Sequence, residues 1–399
     1  MTEKLYFEDS YLFEFESTVR EVRKVDDSYE VILESSAFYP ESGGQAYDLG
    51  LLDNQKVVAV YENDNSQVVH KLENWTAPEG SPVRGVIDKQ RRLDNMRKHS
   101  GQHILSQAFV RVAGIFTISA HLGERESTIE LDAGAIDDDT LRQVEGLTNE
   151  IIRENLPVTT QFYSRDELKN LPVRKIPEGK DKYRIVRMGE FECTACAGTH
   201  VRNTGEIGLV KIISHEKIRN HVRIIFLCGS GAIEDYYQKN KVIDQLSSKL
   251  TCHFMDFNEA VDKLQEYNSE LKKEISSLNR KLLPYETENL KIKAVDLNGI
   301  NLVIETFSNR ESKDIIELGN NLCRSFEAVA LLAAENRIFV FVSDDIGIDA
   351  SRIVRLFTDR YEGSGGGGTT FAQIGGISTE KMTYSLESLA GIVKNEIKR

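Results

Sequence analysis

The sequence predicts an α+β multidomain protein: a small N-terminal β-barrel, an α+β central unit, a helical arm and a C-terminal α/β domain. Three observations carry this. Short period-two segments broken by turns fill residues 1–87, a helix-period pattern takes over at Asp88, and the last ~105 residues alternate strand and helix again. The expected divisions are therefore 1–87, 88–230, 231–292 and 293–399.

The barrel is read from Ser28–Ser35 (SYEVILES), Lys56–Tyr61 (KVVAVY) and the GVID segment around Gly85. From Asp88, apolar Leu93, Met96, Ile104, Leu105 and Phe109 follow helical spacing, and Gly114 suits the C-terminal end. A strand over Ser127–Leu131 and a helix over about Asp138–Asn155 come next. Strands at Val158–Tyr163, Tyr183–Met188 and Gly208–Ser214 follow these. The arm starts with a helix over Ala232–Leu250. Asp256 with Glu259 then offers a capping-box start for a second helix. Val261, Leu264, Asn268, Leu271, Ile275, Leu278 and Leu282 keep a heptad alternation, and Asn268 takes an a-type slot that fixes register. Pro284 ends or bends that seam. The seam closes either on the preceding helix as a hairpin or on a second chain, and the heptads do not choose. In the last region NLVIET, a helix over Ser312–Ser325, AVALLAA and RIFVFVS make an α/β sheet.

The chain has 399 residues and a net charge of -13, from 50 Lys and Arg against 63 Asp and Glu. No apolar run approaches a membrane span, and the acid-bearing N-terminus does not read as a secretory signal, so a cytoplasmic location is expected. Five cysteines, an odd number with three isolated, argue against a disulfide framework. The acidic total disfavours a nucleic-acid partner, but the charge is uneven. Residues 1–50 carry 4 basic and 12 acidic groups. Residues 84–98 reverse this with Arg84, Lys89, Arg91, Arg92, Arg97 and Lys98. So does a second run of Lys169, Arg174, Lys175, Lys180, Lys182, Arg184 and Arg187. Such runs are ordinarily solvated faces.

Four segments carry chemistry. His99 and His103 in HSGQH stand four apart in a helical segment, which puts both imidazoles on one face. No Glu follows His99, so the HExxH metalloprotease pattern fails. Cys196 and His200 in CAGTH repeat the spacing elsewhere in the chain, and together the two pairs form a four-ligand N/S set of the kind zinc prefers. Cys193 is either a further ligand or a small buried residue. In AFYPESGGQAYDLG, Gly43 and Gly44 let backbone approach a ligand and Gln45 offers a donor and an acceptor, or the segment is a hairpin turn with a polar tip. The run Gly365, Gly366, Gly367 and Gly368 is a flexible linker or a nest of N–H groups for phosphate.

Taken in order, FYPESGGQ, HSGQH, CAGTHVRNTGEIG and GGGG…AQIGG resemble the editing and C-terminal domains of alanyl-tRNA synthetase. With the barrel starting near residue 1 and no aminoacylation domain in front, the chain resembles the long form of the free-standing AlaX editing proteins, whose C-terminal domain is associated with DHH phosphoesterases. The resemblance implies a zinc-containing editing domain and a trans-editing hydrolase for tRNA(Ala) mischarged with serine, with glycine as a second candidate. It also implies Zn2+ on His99, His103, Cys196 and His200, and Gln45 with Gly43 and Gly44 lining the aminoacyl-adenosine pocket. Ser36 stands where the family usually has a Thr that reads the serine hydroxyl, and Ala197 where it usually has Gly.

A pocket for alanine cannot strongly exclude serine, whereas a site built to hydrogen-bond the hydroxyl rejects its absence by on the order of 10⁴ or more. Asp48 is the nearest carboxylate after the Gly-Gly-Gln turn and is held as a general-base candidate. Arg91, Arg92 and Arg97, with the glycine run, are expected to touch tRNA phosphates. The competing reading is a non-catalytic, zinc-stabilised tRNA-binding protein. A phosphoesterase is disfavoured because no Asp-His-His motif is present. A homodimer through the arm or the C-terminal domain is expected.

Overall fold

A computed structural model describes residues 2–173 and 182–397. It is a mixed α+β architecture in two compact units, Met1–Leu246 and Ser247–Arg399. Among the described residues no helix is long and apolar enough to cross a membrane.

The first unit opens with a closed six-stranded barrel of β1 (Glu14–Val25), β2 (Ser28–Leu33), β3 (Gly50–Leu52), β4 (Gln55–Glu62), β5 (Val68–Leu72) and β6 (Pro82–Ile87). Its strand order is β1-β2-β5-β4-β3-β6. Closure removes the free edges that an open sheet would expose, and the alternation read from the sequence points Val19, Val31, Leu33, Val57, Val60 and Val83 into one core. Helix α1 (Lys89–Ala113) leaves the barrel directly. The Asp88 side chain caps it by accepting from Arg91 N, and Gly114 closes it in the left-handed region at φ 69°.

Beyond α1 the unit adds β7 (Thr117–Leu122), β8 (Ser127–Leu131), α2 (Asp138–Arg153), β9 (Val158–Ser164), β10 (Lys182–Met188), β11 (Glu192–Ala195), β12 (Val210–Ile218) and β13 (His221–Cys228). They form an antiparallel sheet β12-β13-β8-β7 and a three-stranded sheet β9-β10-β11. Ile104, Leu105, Phe109, Val144 and Ile151 of the two helices pack with Ile129, Val186 and Phe226 of the sheets. Helix α1 also buries Ser100, Gln102, His103 and Ser106. A polar buried face has no apolar stripe, so the functional face of α1 is invisible to hydrophobic periodicity.

One ion pair ties the barrel to α1. Arg92 and Asp48 are both fully buried. Arg92 Nε lies 3.0 and 2.9 Å from the two carboxylate oxygens, Nη1 donates to Ser10 O at 2.8 Å, and Tyr39 N–H donates to Asp48 at 2.6 Å. Arg92 therefore cannot contact tRNA, and Asp48 is not available as a general base. Both expectations are corrected for one reason, that the two charges are spent on each other inside the protein.

Helix α3 (Ser230–Leu250) carries the chain to the second unit. There α4 (Phe257–Ile292) is followed by β14 (Val295–Leu297), β15 (Ile300–Phe307), α5 (Ser312–Ser325), β16 (Ala328–Ala334), β17 (Arg337–Val342), α6 (Ala350–Thr358), β18 (Ser364–Gly367), β19 (Phe371–Gly375) and α7 (Met382–Ile397). The sheet order is β14-β15-β16-β17-β19-β18, with β15 and β16 parallel. AVALLAA is buried at every position, as a central strand covered on both faces should be.

Two expectations for this unit change. Helix α4 keeps the expected end of the arm at residue 292, running through Pro284 because its last turns are held by the fold: Leu290 and Thr287 are buried, and Asn321 donates to Thr287 Oγ1 at 3.3 Å. Asp256 is the N-cap residue, yet its side chain makes no capping bond; His253 instead caps the short turn before it by accepting from Met255 N. The glycine run is neither linker nor nest. Ser364–Gly367 is the edge strand paired with β19, and a Cβ at Gly365 would sit 2.1 Å from Gln373 O.

Stranding the buried guanidinium should be expensive. Asp48→Ala is expected to lower unfolding free energy by about 3–5 kcal/mol in denaturant titration. The Asp48→Leu/Arg92→Met pair should recover most of that loss.

Candidate metal centre

Three segments far apart in sequence converge beside the barrel. Helix α1 brings His99 and His103 one turn apart, their rings stacked with centroids at 4.9 Å. The loop after β11 supplies Cys196 and His200, and the nitrogen and sulfur ligand atoms of all four residues lie within 4.8 Å of one another. The third segment is the Ser42–Gln45 turn, closed by Gln45 N–H to Ser42 O at 3.0 Å. Gly44 has φ +83°, and a Cβ there would meet Ala120 O at 2.5 Å, so this close approach of the turn to β7 requires glycine.

Gln45 is fully buried and is not on the cavity wall. Its Oε1 accepts from His99 Nδ1 at 2.7 Å and from Thr199 N–H at 3.2 Å, while its Nε2 donates to Thr199 Oγ1 at 2.8 Å. An amide oxygen can only accept, so the His99 proton is on Nδ1 and Nε2 is left to face Cys196 Sγ at 3.4 Å. His200 is arranged alike, with Nδ1 at 3.1 Å from Ser100 Oγ and Nε2 at 3.4 Å from the same sulfur. Holding the far nitrogen of a ligating histidine is how metal sites fix ring orientation. Gly198 is bare for the same purpose: a Cβ there would lie 2.0 Å from His99 Cε1. Arg184, almost fully buried, braces the loop by donating to Cys196 O and Gly198 O at 3.0 and 2.9 Å.

The electrostatics suit a cation. Burial alone would push the Cys196 thiol up, but the His99, His103 and His200 imidazoles outweigh it and hold the thiol well below its usual range. Burial, then His99, pulls His200 down to about 3. Both ring nitrogens of His103 are buried without a hydrogen-bond partner. Orphaned imidazole nitrogen beside a thiolate, in a three-nitrogen, one-sulfur set, fits a divalent metal of the zinc type.

His99, His103 and Cys196 also line a cavity of about 640 Å³, with Gly43, Gln102, Thr194, Phe116 and Ile118 on its walls.

The family model of the threonyl and alanyl tRNA synthetase second additional domain matches residues 183–225, and that of class II (A) tRNA synthetases matches residues 4–91. The alanyl-tRNA editing protein AlaX-L of Pyrococcus horikoshii is 29% identical over 389 residues, covering 94% of each chain. The chain is thus similar to an alanyl-tRNA editing protein over nearly its whole length. Alanine–tRNA ligases of Pyrococcus abyssi and Archaeoglobus fulgidus are 30% and 32% identical over 98% and 93% of this chain. The chain spans only 44% and 42% of those ligases' own length. The solved C-Ala domain of Aquifex aeolicus alanyl-tRNA synthetase is 22% identical over 26% of this chain and 98% of that domain, with a TM-score of 0.24, too low to bear on the fold.

Other expected site residues lie elsewhere. Ser36 is buried in the barrel and absent from the cavity wall; its hydroxyl is 2.8 Å from His70 Nε2 and accepts Phe38 N–H. Cys193 is buried among Leu168, Tyr183 and Ile185, outside the four-residue cluster. Arg91 donates to Tyr47 O and pairs with Glu124, Arg97 donates to Glu206 O, and Lys98 to Gly123 O and Glu124 O. The first basic run is thus mostly internal bracing, with Arg84 and Lys89 exposed. Arg174, Lys175 and Lys180 of the second run lie outside the described residues. Gln102 and Thr194 were overlooked, although Gln102 is inside HSGQH and Thr194 shares a strand face with Glu192, two residues before Cys196.

Burial lowers His70 to about 4, and its Nδ1 donates to Val31 O. Its neutral form is the one that folds. The stability this contributes is full above its unfolded value of about 6.5 and falls by up to about 3 kcal/mol as pH drops toward 4. Denaturant titrations across that window should show a shallower acid loss for His70→Gln than for the wild type.

Proposed function

We propose that this protein is a trans-editing hydrolase that removes serine, and as a second substrate glycine, from tRNA(Ala). The observation that carries the reading is the N₃S cluster, three of whose ligands, His99, His103 and Cys196, line one cavity. Zinc held by His99, His103, Cys196 and His200 has a full tetrahedral shell, so it would either orient the pocket with all four ligands kept or act as a Lewis acid on the ester carbonyl once one ligand is displaced. The chain's own residues do the rest. Gln45 and Ser100 orient two of the ligands. Gln102 and Thr194 place an amide and a hydroxyl on the wall beside them, where the serine hydroxyl needs partners. Phe116 and Ile118, both exposed at the cavity, offer apolar surface on which the terminal base can lie. Asp132 is the carboxylate among the described lining residues.

Support comes from the AlaX-L relative, which matches nearly end to end. The competing reading, a tRNA-binding protein with a disused site, leaves unexplained why the ligands face an open cavity rather than a closed core. A zinc closed by four protein ligands is the usual structural form, and what the editing reading adds is the cavity that reaches His99, His103 and Cys196.

We place the homodimer on α4. Val261, Leu264, Leu271, Ile275, Leu278 and Leu282 are all exposed along one heptad seam, a surface that a second copy of the same helix would cover.

The deacylation assay decides the function. Wild-type protein should release serine from Ser-tRNA(Ala) roughly 100-fold faster than His103→Ala and should largely spare Ala-tRNA(Ala). Equal rates for wild type and variant would refute it. For the arm, sedimentation should give two chains, and Leu264→Asp/Leu271→Asp one. A wild-type mass of one chain would return the seam to the hairpin reading.

A further inference from the structure

We infer that Glu192 is a positioning residue for His103, its carboxylate accepting a hydrogen bond from Nδ1–H so that Nε2 is turned toward the metal. The inference rests on the metal reading of the cluster. Of the three histidines, His99 has its Nδ1 held by Gln45 and His200 has its Nδ1 beside Ser100. His103 completes the pattern only through Glu192, whose Oε1 lies 3.8 Å from His103 Nδ1.

That separation is longer than a hydrogen bond, and His103 makes none with either nitrogen. A small rotation of the ring toward a metal would bring Nδ1–H onto the carboxylate. Glu192 itself is 2% exposed, at the first position of β11, paired in register with Met188. Thr194, two residues along the same strand face, lines the cavity, while Glu192 does not. It therefore sits behind the ligand and cannot reach substrate as a base. A carboxylate behind a metal-bound imidazole fixes the tautomer and makes the ring a stronger ligand, and removing such a partner typically weakens metal binding 10–100-fold.

The test uses full-length protein, Zn2+ in competition with a chromophoric chelator, and Co2+ with its visible ligand-field spectrum, with no tRNA present. Glu192→Leu, which removes the acceptor, should bind about 10–100-fold more weakly and shift the Co2+ bands. Glu192→Gln keeps an acceptor oxygen and should stay within about threefold of wild type. Glu192→Asp keeps the charge but withdraws it by one methylene, and should lose about tenfold, which preserves the test should the leucine variant not fold. Wild-type affinity in Glu192→Asp or Glu192→Leu would overturn the inference. So would equal weakening in Gln and Leu. A wild type that takes up no stoichiometric metal overturns it together with the metal reading, whereas inactivity on Ser-tRNA(Ala) with the expected affinities overturns only the deacylation reading.

Discussion

Three imidazoles and a thiolate buried within 4.8 Å of one another need a cation or protons among them, and this requirement organises the first unit. The thiol is driven toward its anionic form by the histidines, while burial and His99 keep His200 neutral. A metal satisfies both at once. The surrounding fold prepares for it by fixing which nitrogen of His99 and His200 points inward, so that little rotamer freedom is left to lose on binding. Gln45 brings that control from the barrel, Ser100 from α1, and Arg184 steadies the loop that carries Cys196 and His200.

The barrel's part in this is indirect. It presents the Gly43–Gly44 turn so that Gln45 reaches His99, and the turn lies close against β7 because Gly44 has no side chain to hold it off. The Arg92–Asp48 pair sets how α1 leaves the barrel and hence where both of its histidines point. A buried pair of this kind adds little stability over an apolar alternative, but losing one half is severe. Its value here is geometric: a charged pair that also bonds Ser10 O, Ala37 O and Tyr39 N–H accepts one arrangement of barrel and helix and few others.

The ligands were legible because their spacing is local. His99 and His103 share a helix face by the geometry of the helix alone, and two such pairs in one chain narrow the chemistry sharply. The barrel, α1, the arm helices and the last sheet were legible from period changes. What stayed hidden depends on contacts between distant segments. Gln45 reads equally as a substrate contact and as a brace for His99, and only the 54-residue separation closed by folding distinguishes them. Arg92 looks like its neighbours in a basic run, since charge patterning carries no burial. Ser36 matches a family position, yet His70 engages its hydroxyl from across the barrel wall. Pro284 signals a helix end locally, and the packing of Leu290 and Thr287 overrides it.

The central claim is that the cluster binds a divalent metal with all four side chains. Zinc-edge X-ray absorption on the purified full-length protein tests it most directly. The account predicts one zinc per chain with three nitrogen ligands at about 2.0–2.1 Å and one sulfur at about 2.3 Å. A protein without zinc, or a zinc shell made of oxygen without sulfur, would contradict it.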